Sequence, residues 1–290
     1  MDRLDALLQR FSVTARMFHS GALCGITDFT PEPGLGQLHL VRRGPIGVSH
    51  PGAAEVRLDA PSLLLYPRPL AHRFDTDPSV GADMACAHLR FAAGGANPLA
   101  DALPAFVCLP LAELDGCAGV LEVLFDEAFR PRCGRQALVD RLFEVVLVFV
   151  LRRLMDEGRI EHGLFAGLAH PQLARALTAM HERPAQAWTL ESLAAEAGMS
   201  RSVFAASFRD TVGATPGDYL ARWRVGLAQQ ALRRGRPLKL VADEVGYGSE
   251  AALSRAFKTW IGRSPRDWRR TLDADGTQAL PASPVEASTR

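Results

Sequence analysis

Four side chains in the N-terminal half, His39, His72, Cys86 and His88, carry donor atoms of the kind that bind a borderline-soft divalent metal. Gln37 and His39 are two residues apart, as are Cys86 and His88, so in extended chain each pair shares one sheet face. If that face lines the inside of a small barrel, the four converge as nitrogen and sulfur ligands suited to zinc. The same residues also read as a packed polar interior satisfied by side-chain hydrogen bonds.

The elements that would position them are short strands. Leu38–Val41, Ala54–Leu58, Ser62–Tyr66 and Cys86–Phe91 are separated by the turn-formers Arg43-Gly44-Pro45, His50-Pro51-Gly52 and Tyr66-Pro67-Arg68-Pro69. Such spacing predicts a sandwich or barrel. After Asn97-Pro98 the pattern turns helical, near 117–129 and again over 135–157. The second of these segments is apolar on more than one face, so it must be covered by its own domain, by a second chain, or by both.

The chain of 290 residues is 48% apolar and 22% charged, which fits two globular domains. Its longest apolar run, Val145–Leu151, falls far short of the ~20 residues of a membrane span. The first ten residues do not read as a secretory signal. Five cysteines (Cys24, Cys86, Cys108, Cys117 and Cys133) without paired spacing argue against a disulfide framework and for a reducing cytoplasm. The formal charge of +1 hides an asymmetry: residues 1–167 carry −4, residues 168–270 carry +7 and residues 271–290 carry −2. A basic module of this kind suits a polyanion. The chain therefore divides into a domain over 1–157, a linker over 158–170, an all-helical domain over 171–271, and a small, polar, proline-bearing tail over 272–290 that reads as disordered.

The helical domain holds an approximate repeat. Gly198 answers Gly246, Phe204 answers Leu253, Phe208 answers Phe257, Gly213 answers Gly262, Pro216 answers Pro265, and Tyr219 answers Trp268. Each glycine stops a helix where a left-handed residue costs least. Ser200 and Ser249 then offer N-cap hydroxyls. Phe204 with Phe208, and Leu253 with Phe257, lie four apart and anchor one face of the following helix. Ala194 and Ala242 are small enough for that helix to cross closely. The residues between the anchors point outward, where a recognition helix meets base edges. Residues 216–234 read as a single helix of roughly 28 Å, enough to hold two reading heads about one DNA turn apart.

On these residues, and above all on Ala242–Tyr247, Phe257-Lys258 and Gly262–Pro265, the helical domain resembles that of the AraC/XylS family of bacterial transcription regulators. The resemblance implies a seven-helix unit that reads two major-groove segments of double-stranded DNA and controls initiation with RNA polymerase as partner. Carried over by position, one head presents Arg201, Ser202, Ala205 and Ala206, and the other Glu250, Ala251, Ser254 and Arg255. Alanine cannot pair with a base edge, so Arg201, Glu250 and Arg255 are expected to carry most direct readout. Arg209, Arg222, Arg224, Lys258 and Arg263 are the phosphate candidates.

The strand-rich half resembles the cupin-like sensor domain of one AraC-type subfamily, through Leu38–Gly44, Leu63–His72, Cys86–Phe91, Asn97-Pro98-Leu99 and Leu103-Pro104. Cupin metalloenzymes carry a His-x-His pair and a Glu on one strand and a further His after a proline-rich turn. Here only His72 matches; the pair would fall near Pro31–Pro33, and Gln37 occupies the Glu position. That loss argues against a working dioxygenase or isomerase. Some members of the subfamily sense oxidants, which makes Cys86, with Cys24, a candidate redox-responsive thiol. The expected protein is thus of the α+β class: a cupin-like β-barrel with dimerisation helices, followed by two helix-turn-helix motifs. It is a homodimeric, non-enzymatic regulator answering a small molecule, metal (zinc) or oxidant. The alternative is a cupin metalloenzyme fused to a DNA-binding module.

Overall fold

A computed structural model describes residues 2–91, 97–156, 160 and 162–274. In chain order the strands and helices are α1 (Asp5–Arg10), β1 (Val13–Leu23), β2 (Ile26–Phe29), β3 (Gly36–Arg43), β4 (Ile46–Ser49), β5 (Val56–Leu58), β6 (Ser62–Tyr66), β7 (His72–Asp75), β8 (Ala82–Phe91), α2 (Pro98–Ala102), β9 (Val107–Pro110), α3 (Ala118–Phe129) and α4 (Arg135–Asp156). They continue as α5 (Leu164–Ala169), α6 (Leu173–Glu182), α7 (Leu190–Ala197), α8 (Arg201–Val212), α9 (Pro216–Arg233), α10 (Leu238–Glu244), α11 (Glu250–Ile261) and α12 (Pro265–Ala274). The chain falls into two compact units: one comprises residues 13–91 and 103–153, the other residues 2–12, 97–102 and the helices from 154 onward.

In the first unit, a five-stranded sheet in the order β1-β8-β3-β6-β9 and a four-stranded sheet in the order β2-β7-β4-β5 are each antiparallel. Between them lies an apolar core that includes Phe29, Val41, Ile46, Val48, Leu64, Phe74 and Met84. Sheets of alternating residues bury their apolar face against one another in this way. The free edge of β1 is closed by side chains of α4: Asp140 accepts from the Met17 backbone N–H at 2.7 Å and Glu144 from that of Ala15 at 3.2 Å. Gln136 donates to the Met17 carbonyl at 3.0 Å. Helix side chains thus satisfy backbone groups that an edge strand would otherwise offer to another chain. The sheet system begins earlier than the sequence reading placed it, with β1 and β2, and ends later, with β9.

The second unit is helical and follows the expected punctuation. Thr189 forms a capping box with Ser192, and Ser200, Thr215 and Ser249 each accept from a backbone N–H of the helix they open. Phe204, Phe208, Leu253 and Phe257 are fully buried, and Ala194 and Ala242 are nearly so. The repeat extends to ring geometry: Tyr219 meets Phe208 edge-on at 5.8 Å and Trp268 meets Phe257 edge-on at 5.5 Å. The region read as the linker 158–170 contains α5, whose residues Leu164–Leu168 are buried. Gly167 permits this, because a Cβ there would stand 2.7 Å from Leu177 and 2.8 Å from Val212. Residues 2–12 also join this unit: Phe11 packs on Trp223 at 4.8 Å, and Arg3 donates to the Leu168 carbonyl at 2.8 Å. The start of the segment read as a disordered tail is the last turn of α12, to Ala274, and the remainder lies outside the described residues. Among the described residues no helix is long and apolar enough to cross a membrane.

Gly198 and Gly246 both hold left-handed backbone, at φ 66° and 84°, but their surroundings differ. A Cβ at Gly198 would meet the end of the Arg175 side chain at 3.3 Å, whereas one at Gly246 would meet the Ala185 backbone at 2.7 Å. Gly198→Ala should therefore cost about 1–2 kcal/mol of unfolding free energy from backbone strain. Gly246→Ala should cost clearly more, because main chain must also move. Urea titration of both variants checks the order.

Candidate functional site

The two candidate reading helices, α8 and α11, present similar platforms. Each begins at a serine cap and ends at a glycine in left-handed conformation, Gly213 and Gly262, and each is fastened by two buried side chains four residues apart. This fixes which residues face solvent. Arg201, Ser202 and Ala206 are exposed on α8, and Glu250, Ala251 and Arg255 on α11, while Ala205 and Ser254 are half-buried at the edge of each face. α9 joins the two motifs as an unbroken helix of 18 residues, about 27 Å long.

The phosphate candidates divide. Arg209, Lys258 and Arg263 are exposed, and exposed Arg222 holds its guanidinium 4.5 Å above the Trp260 ring. Arg224 is held differently. Its Nε donates to the Pro184 carbonyl at 2.7 Å and an Nη to the Gln186 carbonyl at 2.8 Å, and burial lowers its pKa. Those donors clamp the turn before α7, which makes it a positioning residue of the fold. Sequence reasoning also missed Val203, 55% exposed in the first turn of α8. Its place immediately before the anchor Phe204 puts it off the buried face, a signal a helical wheel contains.

The strand-rich unit brings together part of the imidazole set. His39 Nε2 lies 3.2 Å from His72 Nε2 and 3.3 Å from Gln37 Oε1. His72 Nδ1 donates to the Leu70 carbonyl at 2.9 Å, which leaves His72 Nε2 as the acceptor and makes His39 Nε2 the donor. His72 is sandwiched between Tyr66, at 3.9 Å, and Phe29, at 4.8 Å, with rings nearly parallel to both. His88 packs on Phe18 at 4.2 Å, close enough for its charge to act on His39, with its Nδ1 buried and without a hydrogen-bond partner among the described residues. The residues do not make a zinc set: among those described, no three His, Cys, Asp or Glu side chains converge. The other buried polar partner of the group is an amide, Gln37, and not a carboxylate.

The redox expectation also meets a geometric obstacle. Cys86 pairs in register with His39 and is fully buried, and burial pushes its thiol pKa up, away from the reactive thiolate. Cys24 is exposed beside Gly81, which immediately precedes β8 and lies five residues from Cys86, about 16 Å of extended chain. Two cysteines that far apart do not bridge. Next to the imidazole group a cavity of 510 Å³ opens, lined in part by His50, His72, Phe29 and Ser49. His50 Nε2 and the Tyr66 hydroxyl hydrogen-bond at 3.0 Å, and Arg73 at the rim is held by both Asp28 oxygens, at 2.7 and 3.1 Å.

Burial lowers the His72 pKa to about 4, and that of His181, which hydrogen-bonds the Tyr219 hydroxyl in the helical unit, to about 3. Both rings are neutral in the folded chain but take a proton in the unfolded chain below about pH 6.5. Folded pKa values below the unfolded one mean stability is full above that pH and falls as acid is added, for His72 until about pH 4. The loss from His72 should reach about 2 kcal/mol at pH 5. Calorimetry between pH 7.5 and 5 should give a falling melting temperature; a rising one contradicts neutral rings.

Comparison with known proteins follows the same division. Residues 2–156 match the family described as Cupin, and residues 193–271 match the helix-turn-helix domain family. The chain is 39% identical over 184 residues to a Streptomyces antibioticus protein named as an AraC-like transcription regulator, a match that covers 62% of this chain and 61% of that one. It is 27% identical over 255 residues to the RCS-specific HTH-type transcriptional activator RclR of Escherichia coli, covering 85% of this chain and 90% of the relative. The crystallised DNA-binding domain of AdpA in complex with a target DNA is 32% identical, with 38% of this chain and 98% of that one covered and a TM-score of 0.36. The chain spans about three fifths of the length of the first two curated relatives it matches. With a cupin domain ahead of a double helix-turn-helix domain, the chain belongs to the AraC family.

Proposed function

We propose that this protein is a sequence-specific DNA-binding transcription regulator that acts in the cytoplasm at promoters, together with RNA polymerase. The observation that carries the reading is the matched pair α8 and α11, alike in cap, anchor spacing and aromatic closure, each with its outer face free of internal packing. A helix anchored on one face and bare on the other suits the major groove. The net positive charge of residues 168–270 supplies the sequence-independent attraction to phosphates.

Control by an effector at the strand-rich unit belongs to the same proposal. The cavity beside His50 and His72 is of ligand size, and the stacked Phe29, His72 and Tyr66 rings suit a small planar organic molecule better than a metal. The chain also pairs with a second copy through α3 and α4, where Val123, Leu138 and Val145 are exposed apolar side chains. Leu138 and Val145 are seven apart on one helix, so they lie on one stripe. Two copies double the reading heads and raise avidity. The metalloenzyme alternative gains no support from a site with two converging imidazole nitrogens.

Selection of duplexes from a random pool by the full chain, followed by titration of variants, tests the assignment. Arg255→Ala should lose about 1–3 kcal/mol on the selected site and relax preference at one position. Lys258→Ala should weaken all duplexes alike and reduce the salt slope by about one. Arg224→Ala should lower the melting temperature and leave the salt slope unchanged. Failure to enrich any sequence at moderate salt contradicts the function.

A further inference from the structure

The two reading faces are chemically unlike. On α11 the exposed side chains include Glu250, Arg255 and Lys258, groups that pair with base edges and phosphates. On the first two turns of α8, past Arg201 at its start, the exposed side chains are Ser202, Val203 and Ala206, and the basic Arg209 comes only in the last turn. Val203 is the anomaly. A β-branched apolar side chain 55% exposed to water gains nothing for the fold, and it sits in the turn that enters the groove first. Its position is well defined: its backbone N–H donates to the Ser200 cap at 3.4 Å, and the neighbouring Phe204 is fully buried.

In the major groove one base alone offers an aliphatic feature, the 5-methyl group of thymine. We propose that the first reading head recognises thymine through that methyl, with Val203 as the principal contact and Ala206 beside it. The partner is a thymine-bearing major-groove segment under α8, read by apolar contact rather than by hydrogen bonds. The inference rests on the reading of the helical unit as a DNA reader. Arg201 then supplies hydrogen bonds only at the edge of this contact, and edge-pairing discrimination falls mainly to α11.

The test uses the full chain and its selected duplex, with thymines in each half-site replaced one at a time by deoxyuridine, which removes the methyl and keeps every pairing group. Losing one buried methyl should weaken binding about fourfold. That loss is expected at one or two positions of one half-site, and it should vanish in Val203→Ala. Val203→Thr, which keeps the shape, should retain part of it. Both changes are at an exposed position, and unchanged melting temperatures verify the fold. Tight binding unaffected by every deoxyuridine overturns the methyl contact and leaves DNA reading intact. A deoxyuridine penalty that persists undiminished in Val203→Ala assigns the contact to another residue and overturns the role of Val203. If no duplex is selected, the DNA reading itself falls and this inference with it.

Discussion

The helical unit depends on the burial of two side chains four residues apart in each candidate reading helix. Phe204 and Phe208 on α8, and Leu253 and Phe257 on α11, are fully enclosed. An aromatic ring from the next helix closes each pair edge-on. Burial of one large apolar side chain stabilises by roughly 1.5–3 kcal/mol, so each pair contributes several kcal/mol to holding one helix at one rotation. That rotation decides which residues meet water. A helix turned by one position would expose Phe257 and, in one direction, bury Lys258, and both are costly. The outward faces are thus consequences of the inward ones.

The strand-rich unit shows a different economy. Its polar interior is neutral: burial holds His39 and His72 uncharged, and their protons are assigned by a single backbone contact at Leu70. A neutral, aromatic-walled site with the imidazoles of His39, His50 and His72 and the amide of Gln37 suits shape and hydrogen bonding, whereas a divalent metal asks for more ligands than converge there. The closure of β1 by Asp140, Glu144 and Gln136 makes α4 part of the sheet's hydrogen-bonding system. An outer face of α4 with exposed Leu138 and Val145 is then available to a second chain without loosening the barrel.

Legibility in the sequence followed the locality of the physics. Caps, left-handed glycines and anchors spaced by four are short-range signals, and the helix-turn-helix pair could be read from them to within a residue or two. The strands β1, β2 and β9 are not legible in the sequence because their signal is not local: β1 is an edge strand satisfied by α4, more than a hundred residues away. α5 reads as linker because LFAGLA is short and contains glycine, and its helicity comes from burial against Leu177 and Val212. The packing of Phe11 on Trp223 left no trace in pattern. Within the sites, residue types were legible and their assignments were not. Arginine at 224 looks like arginine at 222, and only the carbonyls of Pro184 and Gln186 distinguish a clamp from an exposed cation. Cysteines at 24 and 86 look like a pair until strand register separates them.

In the proposed function one chain enters the major groove twice, with α8 and α11 held by α9. Hydroxyl-radical and methylation-interference footprints of the full protein on a selected duplex address this most directly. Two major-groove contact segments per chain are expected on the same face of the duplex, centred about one helical turn apart. Contact confined to a single segment, or protection that follows the minor groove, would contradict it.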